Sequence, residues 1–247
     1  MKKLFLTLIC FTCSTLIKAQ VETYSNYPFN GYSYNAVVVK IDSETVKKFD
    51  ILQNDNGILH DAFLTNLFNS DSSFFLINAC ISDTTCKPVG YFAKDAQEIQ
   101  PANLNDGTGN FFLKPNGALL FTQDDVILCE SSQISNYQNV RLGIQSGPML
   151  LNNGSINPQF NQNSQNKNIR CGVGIFTNSK NEKFLAFGIS NYPVSFYDFA
   201  VFFDKKFKCT NALCLESGEC KMYFPYQSNL GGGELSGYIC NYLYFKL

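Results

Sequence analysis

A strand-rich α+β fold in one domain is what this sequence predicts, and three observations predict it. Tyr and Phe are abundant, 13 and 23 among 247 residues, and Trp is absent; aromatic side chains fit pleated surfaces better than helices. Most apolar runs are short or alternating and end at Gly, Asn or Asp, which punctuate strands. Only two segments carry a helical period. With 45% hydrophobic and 16% charged residues the chain can build one sizeable core. No repeat, low-complexity tract or Pro-rich linker divides it, so residues 21–247 read as a single mixed, β-sheet-rich domain with a few helices.

Residues 1–20 read as a signal peptide. Lys2 and Lys3 form a positive start, residues 4–17 an apolar stretch, and Ala19 or Gln20 precedes the cut. The stretch is too short for a bilayer span, which needs about 20 apolar residues. The mature chain is therefore expected to be exported, periplasmic or secreted, with no membrane span. A lipid anchor at Cys13 is disfavoured, because Cys10, Phe11 and Thr12 do not form the Leu-small-small run that such processing prefers.

Strands are expected at residues 34–41, 49–53, 74–79, 111–114, 118–122, 141–146, 172–177, 184–190 and 237–245. Asn116-Gly117 and Asn153-Gly154 supply the positive φ that tight hairpins need, so a hairpin is predicted at each. Residues 60–68 are predicted helical from Phe63, Leu64, Leu67 and Phe68. The second helix rests on Phe196, Phe199, Ala200 and Phe203, with Ser195 and Asp198 spaced as a capping box.

Composition also excludes functions. Removing residues 1–20 leaves 16 basic against 20 acidic groups, a net charge of -4 with no basic block, so no nucleic-acid partner is expected. His60 is the single histidine, so imidazole-rich zinc sites cannot be assembled, and no metal or cofactor is expected. Its bland reading is a residue near a helix start. Eight cysteines remain in the mature chain: Cys80, Cys86, Cys129, Cys171, Cys209, Cys214, Cys220 and Cys240. None forms a C-x-x-C pair, so disulfides are favoured over zinc in an oxidising compartment, with the connectivity left open.

Ser146, in Gly143-Ile144-Gln145-Ser146-Gly147-Pro148, misses the nucleophile-elbow spacing. The run at residues 231–233 lacks the following Lys-Ser/Thr of a phosphate loop and reads as surface loop. Acid–base work then falls to carboxylates, with Asp61, Asp95, Asp106, Glu130, Asp198, Glu216 and Glu219 near turns or element ends. Glu216 stands out, because it ends the apolar run Ala212-Leu213-Cys214-Leu215. Burial there would raise its pKa toward a useful range. Arg170 opens a strand, where its guanidinium could clamp a phosphate or join a structural ion pair.

Five blocks in order then resemble the phosphodiester glycosidase family, exported bacterial relatives of N-acetylglucosamine-1-phosphodiester α-N-acetylglucosaminidase, over about 150 residues from Phe74 to Pro225. They are the Gly-Asn-Phe-Phe-Leu-Lys-Pro-Asn-Gly block from Gly109 to Gly117, and the Gln-Ser-Gly-Pro-Met-Leu block from Gln145 to Leu150. Asn163-Ser164 and Ile169-Arg170 then lead into Gly172-Val173-Gly174, followed by Ser190, Pro193-Val194 and the Phe196 helix, and by Asn211-Ala212-Leu213 before the acidic motif.

The resemblance implies hydrolysis of a sugar-1-phosphodiester. It assigns Glu216 as the acid or base and Arg170, with amides around Gly147 and Gly172, to the phosphate. Asn78, Asn110 and Gln145 would hold hydroxyls, with Ser146 and Tyr223 also near the substrate. For Asn78, Asn110 and Ser146 a loop-stabilising bond to backbone is the competing role, and for Tyr223 ordinary packing.

Departures exist. Relatives read Asn-Ala-Gly where this chain has Asn78-Ala79-Cys80, and Leu-Asp-Gly where it has Leu215-Glu216-Ser217. One added methylene moves a carboxylate by about 1 Å, a shift that can cost about 10²-fold in rate. Cys80 with Cys86 and Cys214 with Cys220 could be local bridges that rebuild these loops. A sugar-phosphate-binding pseudoenzyme on the same fold is thus the second reading.

Overall fold

The computed structural model describes residues 20–53, 74–223 and 240–247. The expected helix at 60–68 with His60, the run at 231–233, the targeting segment up to residue 19 and residues 237–239 of the last expected strand lie outside the described residues.

Along the chain the strands are β1 Val21–Phe29, β2 Tyr32–Ile41, β3 Phe49–Gln53, β4 Phe74–Asn78, β5 Phe92–Lys94 and β6 Gln97–Gln100. They continue with β7 Gly117–Phe121, β8 Val126–Glu130, β9 Leu142–Ser146, β10 Met149–Asn152 and β11 Ser155–Ile156. The last five are β12 Arg170–Thr177, β13 Lys183–Ser190, β14 Asn211–Ser217, β15 Met222–Tyr223 and β16 Asn241–Lys246. Among the described residues the helices are short, α1 at Ser43–Lys47 and α2 at Phe196–Phe202.

Among the described residues all pairings are antiparallel, in three sheets of order β1-β2-β13-β12-β14-β10-β11, β15-β4-β16-β3 and β6-β5-β9-β7-β8. This is the strand-rich α+β class that composition predicts. One core joins the sheets: Val37, Val39, Leu185 and Phe187 of the first meet Phe75, Ile77 and Phe245 of the second and Leu119, Phe121 and Ile144 of the third. The opposite face of the first sheet, with Tyr34, Ala36, Val38 and Ala186, packs on α2, as the period-2 alternation of strands requires.

Ser195 caps α2, its Oγ accepting from the Asp198 N–H at 3.0 Å. The Asp198 carboxylate does not return to the cap backbone; it accepts from the Ser195 and Tyr32 hydroxyls, at 2.7 and 3.3 Å. Phe196, Phe199, Ala200 and Phe203 are buried as their spacing predicts, and Phe202 also stacks on Tyr34 at 4.1 Å.

Of the two predicted hairpins, Asn153-Gly154 joins β10 to β11 with φ of 49° and 76°. The one at Asn116-Gly117 is corrected: Gly117 begins β7, which pairs with β8 and β9. A Cβ on Gly117 would meet the Met149 Cγ at 2.8 Å, so close packing and not turn chemistry calls for glycine there. The strand expected at 111–114 is likewise replaced by a 3₁₀ turn, Asn110–Phe112.

Candidate active site

The acidic motif lies on β14, held against β12 with an irregular register. Cys171 faces Glu216 and Gly172 faces Cys214, leaving Leu215 as the extra residue of a bulge. Gly172 makes this possible, since a Cβ there would sit 2.6 Å from the Leu213 carbonyl oxygen. Bulges re-aim side chains, and beyond this one Glu216 turns to a cavity of about 460 Å³.

Its walls come from three places: the end of β4 and the following loop, with Asn78, Cys80, Ser82 and Asp83; the turn after β14, with Glu219; and the start of β16, with Asn241. Burial pushes the Glu216 carboxyl up to about 7; the Ser217 N–H, donating to its Oε1 at 2.7 Å, pulls the other way, and Glu219 adds repulsion.

Asn78 ties these walls together. Its Nδ2 donates to the Glu219 carbonyl at 3.0 Å and its Oδ1 accepts from the Lys221 N–H at 2.6 Å, which zips the 218–221 turn to β4. Asp83 holds its own loop by accepting from the Thr85 hydroxyl and from the Lys87 and Thr85 amides, and these bonds keep its carboxyl below the usual range. Asn241, 2% exposed, donates to the Ser82 Oγ at 2.9 Å, while its Oδ1 is buried without a hydrogen-bond partner. Among the described lining residues there is no Lys, Arg or His.

Of the nine expected site residues, Glu216 and Asn78 line this cavity. The structure gives the other seven different surroundings. Arg170 is fully buried. Its Nε donates to the Val194 carbonyl, its Nη2 to the Asn166 carbonyl and its Nη1 to the Ser217 Oγ, at 2.9, 3.2 and 2.6 Å, and its guanidinium lies over the Phe196 ring at 3.5 Å. Its guanidinium serves these protein acceptors, and among the described residues it makes no ion pair.

Gln145 clips the Asn103 segment to the sheet, accepting from the Tyr91 and Asn103 amides and donating to the Asn103 carbonyl. The Ser146 hydroxyl donates to the Leu215 carbonyl at 2.9 Å, and Gly147 packs beside Asn116 and Phe111. Gly172 serves the bulge. Tyr223 packs edge-on against Tyr242, and Asn110 opens the 3₁₀ turn. Gln145 and Ser146 thus spend their side chains on backbone partners, which residue type and spacing alone do not reveal.

The cysteines are corrected too. Cys86 bonds Cys240 across 154 residues, while Cys80, Cys129, Cys171, Cys209, Cys214 and Cys220 are free and buried. Neither local bridge forms: the Cys214 and Cys220 thiols both donate to the Glu216 carbonyl at 3.2 Å. Burial pushes the Cys80 thiol up to about 12 and Cys171 and Cys214 well above the usual value, so these sulfurs stay protonated. Sequence reasoning missed Asp83 and Asn241, which come to the cavity on the loop after β4 and at the start of β16, elements joined by strand pairing, by the Asn241–Ser82 bond and by the Cys86–Cys240 bridge.

Three antiparallel sheets thus share a core and bring an acid at a bulged strand end to face a cavity. Residues 73–232 match the phosphodiester glycosidase family, and the chain belongs to it. It is 32% identical over 190 residues to the uncharacterized protein YigE of Escherichia coli strain K12, covering 76% of this chain and 73% of YigE.

In fold it is similar to the catalytic domain of zebrafish N-acetylglucosamine-1-phosphodiester α-N-acetylglucosaminidase, solved auto-inhibited by its pro-peptide. That match has a TM-score of 0.57 at 14% identity and covers 92% of this chain and 82% of the zebrafish one. A hypothetical protein from Synechocystis matches equally, with a TM-score of 0.57 at 12% identity over 91% of this chain and 61% of its own.

Proposed function

We propose that this protein is an exported hydrolase that cleaves a sugar-1-phosphodiester, with Glu216 as general base. One observation carries the reading: within the segment that matches the family, a glutamate whose burial lifts it to about 7 faces a sugar-sized cavity. A phosphomonoester anion leaves with little help from an acid, so one carboxylate plus positioned dipoles suffices where ordinary glycosides need two. Water bonds to the anomeric carbon and gives its proton to Glu216. The bond from that carbon to the phosphate oxygen breaks, and its electron pair leaves with the phosphate.

The acceptor-rich wall of Glu219 and Asp83 suits sugar hydroxyls. The phosphate then faces the mouth, since no described lining residue is basic. Asn78 and Arg170 act as positioning residues for the 216–221 turn, Asn78 through Glu219 and Lys221, Arg170 through Ser217. Export is supported by the targeting pattern at residues 1–20 and by the Cys86–Cys240 bridge, which persists in oxidising compartments.

The same lack of a described cation, with the longer acid at 216, favours a second reading: a sugar-phosphate-binding protein without turnover. Sugar release from UDP-N-acetylglucosamine and from a methyl sugar-1-phosphate diester separates the two, measured for the mature protein beside Glu216→Ala and Glu216→Asp. Release that Glu216→Ala abolishes is the expected result. Saturable binding of both compounds with no release establishes the second reading, and wild-type turnover in Glu216→Ala removes Glu216 from the chemistry.

A further inference from the structure

The Glu216 cavity is graded in depth. Asn78, Cys80 and Asn241 are its buried part, Glu216 is half-buried, and Asp83, Thr84 and Glu219 are exposed at its rim. Acids stand at both levels. Inside, the Glu216 Oε1 accepts from the Ser217 N–H, and its Oε2 has no hydrogen-bond partner among the described residues. At the rim, Asn78 pins the Glu219 carbonyl at 3.0 Å and so fixes where that side chain leaves the backbone. The Glu219 carboxylate itself makes no hydrogen bond or ion pair among the described residues. Asp83 spends its Oδ1 on Thr85 and Lys87, and its Oδ2 makes no such bond.

No cation answers these charges. The Asp83 carboxyl is lowered chiefly by the Thr85 hydroxyl; Lys87 contributes least, and it lines a separate cavity of about 290 Å³. Residues 54–73 and 224–239, which adjoin β3, β4, β15 and β16 in sequence, contain no Lys or Arg. A phosphodiester whose phosphate faces this rim brings its negative charge toward carboxylates. Like charges at that range repel, unless the substrate carries a cation of its own.

Granting sugar-phosphodiester binding beside Glu216, on which this rests, we propose that the alcohol on the far side of the phosphate bears an ammonium group, and that Glu219, with Asp83, selects it. Carboxylates only accept hydrogen bonds and an ammonium only donates them. Each carboxylate has two oxygens, so Glu219 can meet a sugar hydroxyl with one and the ammonium with the other. The bound substrate is then a zwitterion whose cation faces both its own phosphate and the rim. An alcohol that adds a carboxylate or a second phosphate is repelled by the same rim.

The test compares three diesters of one α-sugar 1-phosphate, made with ethanolamine, ethylene glycol or glycolate, which vary the charge of the alcohol at nearly constant size. Sugar release by the mature protein is measured near neutral pH in chelator-treated buffer, with glucose and with N-acetylglucosamine as the sugar. In kcat/KM, ethanolamine should exceed ethylene glycol and ethylene glycol exceed glycolate, each step about two- to fivefold at low salt and smaller at high salt. Glu219→Gln should narrow the steps and Glu219→Lys reverse their order, whereas a purely structural role for Glu219 would lower all three rates in proportion. Equal rates for the three diesters, or an order that Glu219→Lys leaves unchanged, overturn the proposal and leave sugar release at Glu216 standing. So does added Mg²⁺ that raises glycolate to the level of ethanolamine, because a divalent ion then supplies the cation. If no diester releases sugar, calorimetric Kd values for the same compounds replace kcat/KM. The same order with the same dependence on Glu219 then sustains the ammonium class and removes hydrolysis, and no binding removes both.

Discussion

At Glu216 a carboxyl with an ordinary value of 4.5 is held near 7, chiefly by burial. An acid whose value rises on folding binds its proton more tightly in the native chain. Its penalty is absent below about pH 4.5, grows as pH rises and is complete above about pH 7. A difference of that size corresponds to about 3 kcal/mol. Glu216→Gln should therefore be more stable than wild type at pH 8, by up to about 3 kcal/mol, and indistinguishable at pH 4, as read by urea unfolding at both pH values. The same ionisation governs the reaction. With Glu216 as base, kcat/KM should climb through about pH 7 to a plateau, and a profile that falls there would reassign it as an acid. Arg170 makes a different expectation. Arg170→Lys loses the forked donors and the ring stacking, so it should lower stability by about 2–4 kcal/mol while a phosphate-competition assay shows no selective loss of anion affinity.

Among elements, the β12–β14 bulge links packing to chemistry. Gly172→Ala pushes a methyl group into the Leu213 carbonyl and should cost about 1–3 kcal/mol. Because the strain falls where β14 turns Glu216, kcat should drop more than KM changes. The cap of α2 offers the contrast: Ser195→Ala removes the bond to the Asp198 amide and should cost about 1 kcal/mol, visible as a lower Tm with kcat unaltered. How legible each element was follows from local chemistry. Asn153-Gly154 was readable because both residues take positive φ. Asn30-Gly31 carries the same signal, with φ of 48° and 79° between β1 and β2, and could have been found by it. Asn116-Gly117 looked alike and is not a turn, because its glycine answers a tertiary contact with Met149.

For the whole molecule, the Cys86–Cys240 bridge closes 154 residues and fastens the last strand to the loop that walls the cavity. By loop-closure entropy a link of that span is worth about 5 kcal/mol, so Cys86→Ser with Cys240→Ser should lower Tm sharply. Sugar release should fall as Asn241 and Asp83 separate. The six free thiols are buried. An alkylating reagent should modify none of them in the native mature chain, and all six after denaturation without reductant.

The fold class, the α2 helix face, the cap at Ser195 and the acid at the end of an apolar strand were all determined by the sequence itself, because each depends on residues within a few positions of one another. Periodicity, turn chemistry and capping are local. Which cysteines pair, where the hydroxyl of Ser146 and the guanidinium of Arg170 spend their hydrogen bonds, and that Asn241 stands across a cavity from Glu216 were decided only by the tertiary structure. Buried polar groups take whatever partner the packed sheets bring within about 3 Å, and those partners lie from a few residues to more than 150 away along the chain.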